Sequence, residues 1–152
     1  MLLAAAALQA CSLLTSADIA AVQRETPSEK RETDSKRGEL DVAQCFYLLP
    51  TFARSVSLEV ARGDVRALLE RARAPSRERE GEKDDPAEDR AVVRVAGLGD
   101  EAFWSGGARL GGLYVRRGDL LLRLAVGGTE SRAAKLVKLR RLARVALRRL
   151  RR

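Results

Sequence analysis

The chain has no histidine, two cysteines and few aromatic residues: three Phe, two Tyr and one Trp. Without histidine it lacks the side chain that most often works as acid or base near neutral pH, and with it the Ser–His and Cys–His catalytic pairs. Two cysteines cannot complete a zinc site built from Cys and His. No apolar run is long enough to cross a bilayer as a helix. The expectation is a protein with no catalytic residues, no metal and no cofactor.

What remains is the material of one ordinary domain. The 152 residues are 45% hydrophobic, enough for a real core and too few for two. The net charge is +8, and it is unevenly spread. Glu130 to Arg152 holds ten basic residues and one acid, which leaves 19 basic and 20 acidic residues for the rest. A strongly basic chain points towards nucleic acid. Here the body is close to neutral and one terminal segment carries the excess, so nucleic acid is not the expected partner.

Residues 1–10 (MLLAAAALQA) are small and apolar, like the apolar region and cleavage site of an export signal, although no basic residues precede them. The competing reading is an ordinary N-terminal helix. Leu8-Gln9-Ala10-Cys11 also fits a bacterial lipoprotein processing site, in which Cys11 would carry lipid and Cys45 would stay unpaired. The other reading is a Cys11–Cys45 disulfide in an oxidising compartment. It would close a loop of 34 residues and accounts for both cysteines.

Thr15 and Asp18 form a capping-box-like pair, with Leu14 and Ile19 at the hydrophobic-staple positions, so a helix runs from Thr15 to about Gln23. Arg24 to Glu39 reads as a charged loop. Cys45–Leu49, Ser55–Val60, Ala91–Val95, Leu110–Arg116 and Leu120–Val126 read as strands, the second with clear period-two alternation. Asp64 can cap a helix with Val65, Leu68, Leu69 and Ala72 on one face. Residues 76–90 contain no strongly apolar side chain and read as a solvated insertion. The expected fold class is α+β: a mainly antiparallel sheet of about five strands, with helices packed on it and a basic C-terminal helix. Residues 1–10 would be the signal segment and 11–150 a single domain.

Gly97-Leu98-Gly99-Asp100-Glu101 offers two carboxylates but no nucleophile to partner them, so it is read as a tight turn in which Asp100 caps a helical turn that places Phe103 and Trp104. Arg-Gly-Asp occurs at Arg62–Asp64 and at Arg117–Asp119; a strand-to-helix turn and a hairpin tip explain both. Phe103, Trp104 and Tyr114 are candidates for lining a ligand cleft, against the plainer reading of core residues. In the last helix Leu136, Leu139, Ala143, Ala146 and Leu150 share a stripe with Leu142 and Leu147. Lys138, Arg141, Arg144, Arg148 and Arg152 fall opposite, interrupted by Val137 and Val145. Those five basic residues are the candidate contact to anionic lipid headgroups or another polyanion.

Three signatures follow in order: Cys11-Ser12-Leu13-Leu14-Thr15; then Cys45 leading to Ser55–Val60; then Gly97-Leu98-Gly99-Asp100-Glu101-Ala102-Phe103-Trp104 ahead of Leu113-Tyr114-Val115 and Gly118-Asp119. From Cys11 to about Leu150 the chain resembles a family of small bacterial exported domains and lipoproteins of unknown function. The resemblance implies a PsbP-like α+β sandwich and a Cys11–Cys45 pairing, and it transfers no catalytic residue. The expectation is an exported envelope domain, periplasmic, cell-envelope or secreted, that acts as a non-catalytic binding or interaction module for an unknown partner or ligand. The alternative is a protein held at the membrane surface by its basic amphipathic helix or by a lipid on Cys11.

Overall fold

Alternation decides which face of the sheet each strand buries. The structure, a computed structural model, describes residues 8–74 and 92–150. Its helices are α1 (Ser16–Gln23), α2 (Arg66–Arg73) and α3 (Arg132–Leu150). Its strands are β1 (Glu29–Arg37), β2 (Leu40–Leu48), β3 (Val56–Arg62), β4 (Val93–Arg94), β5 (Glu101–Ser105), β6 (Gly112–Arg117) and β7 (Leu120–Val126). They form one antiparallel sheet in the order β1-β2-β3-β7-β6-β5-β4.

Ala43, Cys45 and Tyr47 of β2, Val56, Leu58 and Val60 of β3, and Leu122, Leu124 and Val126 of β7 point to one face. There they meet Leu13, Leu14 and Ile19, and Leu139, Leu142, Ala143, Ala146 and Leu147 of α3. The opposite face is covered only in part. α2 sets Val65, Leu69 and Ala72 against Val42, Ala61, Phe103, Tyr114 and Leu121. The Ser105 hydroxyl donates to the Ala72 carbonyl and ties α2 to β5.

The α+β class and the basic terminal helix are as expected, but the sheet has seven strands rather than about five. One of the added strands is β1, which lies where a loop was expected. Its sequence, EKRETDSKR, holds no apolar side chain, and every residue is exposed. It is a strand because its backbone pairs along nine positions with β2. Gly38, at φ +61°, makes the turn that joins them. As an edge strand it needs no buried face, and its mixed charges discourage pairing with another chain. The other added strand is β5, which lies in the stretch read as a Gly-rich turn. Asp100 therefore caps no helical turn; strand pairing with β6 places Phe103 and Trp104.

Cys11 and Cys45 form a disulfide, with Cα atoms 4.9 Å apart. With Cys11 Sγ in that bond, the thiol is not available for a lipid. Ala10 is buried, and Leu8 packs against the core. At α1 the Thr15 hydroxyl accepts the Asp18 N–H at 3.1 Å, and the Asp18 carboxylate accepts the Thr15 N–H at 2.8 Å. Leu14 and Ile19 are fully buried beside that cap. The expected insertion at 76–90 lies outside the described residues.

Candidate functional site

The sequence of α3 sorts its basic residues into those the fold uses and those it leaves over. Leu139, Leu142, Ala143, Ala146 and Leu147 are buried against the sheet, and Leu136 and Leu150 pack at the margin. Lys135 is also fully buried, and its ammonium donates to the Ala108 carbonyl at 2.7 Å. A lysine stem lies comfortably along apolar neighbours once the charged head finds an acceptor. The helical pattern alone gave no sign of that acceptor, because Ala108 is 27 positions away.

Three further cations are anchored. Lys138 sits between Gln23 Oε1, at 2.7 Å, and Glu130 Oε1, at 2.5 Å. Its side chain is only 17% exposed. Lys138 was expected among the surface contacts and belongs instead to a bridge between α1 and α3. Gln23 is itself buried and donates to the Arg54 carbonyl at 2.6 Å. Arg140 donates to the Ala96 carbonyl at 3.2 Å. Arg149 donates to the Leu13 carbonyl at 2.6 Å and to the Asp18 carboxylate at 2.7 Å.

Arg132, at the start of the helix, is not free either, which leaves Arg141, Arg144 and Arg148. All three are exposed, and none has an ion-pair or hydrogen-bond partner among the described residues. At spacings of three and four they form one stripe, about 10 Å long at the rise of a helix. They line a groove of about 380 Å³ between α1 and α3, together with Asp18, Ala21, Leu142 and Val145. Among the described residues Asp18 is the one acid in that lining. Burial pushes its carboxyl up, but the Thr15 N–H and the Arg149 guanidinium outweigh this and hold it below its ordinary value. It is therefore ionised at neutral pH and already matched by Arg149. The groove presents three cations with no counter-charge of their own. Val137 is 72% exposed on the same helix. Arg152, the fifth expected contact, lies outside the described residues.

The three candidate cleft residues do not share a cleft. Neighbours on a strand point to opposite faces. Trp104 is fully buried on the helix-covered face, with its indole N–H on the Gly106 carbonyl at 2.7 Å. Phe103 and Tyr114 lie on the other face, stacked with centroids 5.3 Å apart and planes 9° apart.

The carboxylates of the Gly97–Glu101 loop are taken up structurally. Asp100 accepts from the Gly118 N–H and the Arg116 guanidinium, and Glu101 pairs with Arg73 and Arg116. The two Arg-Gly-Asp turns touch, with the Gly63 N–H donating to the Asp119 carbonyl at 2.9 Å. Among the described residues no group of three or more Cys, Asp or Glu is placed to hold a metal ion, and no helix is long and apolar enough to cross a membrane. No family model matches the chain, and neither a curated protein nor a solved structure matches it.

Proposed function

We propose that this chain is a non-catalytic binding module of the bacterial envelope that rests on an anionic membrane surface through α3. The single observation behind this reading is the unpartnered stripe of Arg141, Arg144 and Arg148. Exposed arginines contribute little to the stability of a fold. Near an anionic bilayer each basic residue contributes about 1 kcal/mol of attraction. The opposite face of the helix is committed to the core, so the helix lies along a surface rather than inserting deeply. The Cys11–Cys45 bridge is consistent with an oxidising, exported location. The order of the three signatures supports membership of the family of small exported bacterial domains.

Flotation with vesicles tests this reading. The protein should float with vesicles containing phosphatidylglycerol, stay behind with purely zwitterionic ones, and be released by high salt. Flotation with neither vesicle, at low salt and with the disulfide intact, would refute it. Intact mass of the protein purified from its native envelope tests the export part. It reports processing, the bridge and any lipid together.

A further inference from the structure

On the sheet face opposite α3 and α1, three arginines from three distant segments converge. Arg37 ends β1, Arg71 lies on α2 and Arg123 is central in β7. With Glu59, Leu68, Tyr114 and their neighbours they line a basin of about 280 Å³ beside α2. We propose that this basin binds a small organic anion, a carboxylate or phosphate carried on an apolar body. It is separate from the α3 stripe and does not depend on it.

The basin is preorganised. Arg123 Nε donates to the Tyr114 hydroxyl at 3.0 Å, and its Nη2 to the Leu110 carbonyl at 3.4 Å. Its guanidinium also lies over the Tyr114 ring, 5.6 Å from the centroid. Tyr114 is held in turn by its stack on Phe103, and Arg73 lies over the Phe103 ring at 4.9 Å. Two guanidinium groups and two rings thus fix one wall.

The charge is left unbalanced. Among the described residues Glu59 is the only acid in the lining. It accepts from Gln44 at 2.6 Å and pairs with Arg37 at 3.6 Å. Arg71 has no partner among the described residues. Three guanidinium groups around one carboxylate leave two positive charges facing a small concavity. The planar fork of a guanidinium matches carboxylate and phosphate oxygens. Ala61, Leu68 and Leu121 give the basin an apolar side that suits a hydrocarbon body. A volume near the lower end of ligand sites limits the occupant to a small molecule.

Amide NMR titration of the full chain, with benzoate, phenyl phosphate and inorganic phosphate as separate probes, tests this. Saturable shifts should appear at Arg71, Tyr114 and Arg123 with benzoate or phenyl phosphate, and the stronger probe identifies the anion. Arg71→Glu, at an exposed and unpartnered position, should leave the spectrum folded and weaken binding about tenfold or more, the loss of one charge-assisted pair. Arg148→Glu on α3 should leave that binding unchanged. The proposal is overturned if no probe gives saturable shifts, if the shifts map elsewhere, or if Arg71→Glu binds as the unaltered protein does.

Discussion

Asp100 Oδ2 accepts the Gly118 N–H at 2.7 Å, and this bond joins the Gly97–Glu101 loop to the tip of the β6–β7 hairpin. The Asp100 N–H returns the contact by donating to the Arg116 carbonyl at 2.7 Å. Two signatures that look separate along the chain are therefore two sides of one junction. Gly99 makes the close approach possible. Its φ is +55°, and a Cβ there would stand 2.5 Å from the Arg116 oxygen. Asp100→Ala should cost about 1–2 kcal/mol, the loss of charge-assisted bonds at a partly exposed site. Gly99→Ala should cost more, because backbone has to move. Urea unfolding of both variants checks the order; a silent Gly99→Ala would contradict the contact.

The bridge closes 34 residues of chain, from Cys11 to Cys45. It ties the turn before α1 to the second strand. In the chain-entropy account, reduction should lower stability by about 3–4 kcal/mol. Cys11→Ala/Cys45→Ala should lose a similar amount, measured by urea unfolding without reductant. An unchanged midpoint would remove the bridge from the account of stability.

α3 should show two separable faces. Leu139 is fully buried, so Leu139→Ala should destabilise by about 2–5 kcal/mol. Arg144→Glu and Arg148→Glu replace exposed, unpartnered groups and should leave thermal melting nearly unchanged. If the arginine changes unfolded the domain and Leu139→Ala did not, the helix would be turned the other way.

Asp18 makes stability depend on acid. The Thr15 N–H and the Arg149 guanidinium hold its folded carboxyl below the ordinary aspartate value near 3.8, which the unfolded chain keeps. As the pH falls, the unfolded chain takes up the proton first, so the stabilisation is full well above that value and is lost as the pH drops through the lower, folded one. Asp18→Asn should lower stability at pH 7 and flatten part of the fall that sets in below about pH 5. Melting curves for the two proteins that run parallel across that range would count against this.

Local chemistry made much of this readable in advance. The Thr15–Asp18 box, the period-two strands β3 and β7, and the buried stripe of α3 each follow from residues within a few positions of one another. What escaped depends on distant partners. β1 has no apolar residue to announce it, and it is held by backbone bonds to β2. Lys138 resembles its exposed neighbours on a helical wheel, yet Gln23, 115 positions away, draws it inward. Trp104 and Phe103 stand together in sequence and on opposite sides of the sheet, because the segment is a strand and not a turn. The basin beside α2 gathers arginines from three segments, which no local pattern could reveal.

Surface binding through Arg141, Arg144 and Arg148 is read out by the partition coefficient onto phosphatidylglycerol-containing vesicles at low salt. The comparison is between the unaltered chain and the triple variant Arg141→Ala/Arg144→Ala/Arg148→Ala. At about 1 kcal/mol for each basic residue, the variant should bind about 100-fold more weakly and keep its melting temperature. Equal partitioning of the two folded proteins would contradict the assignment of α3 as the surface-binding element.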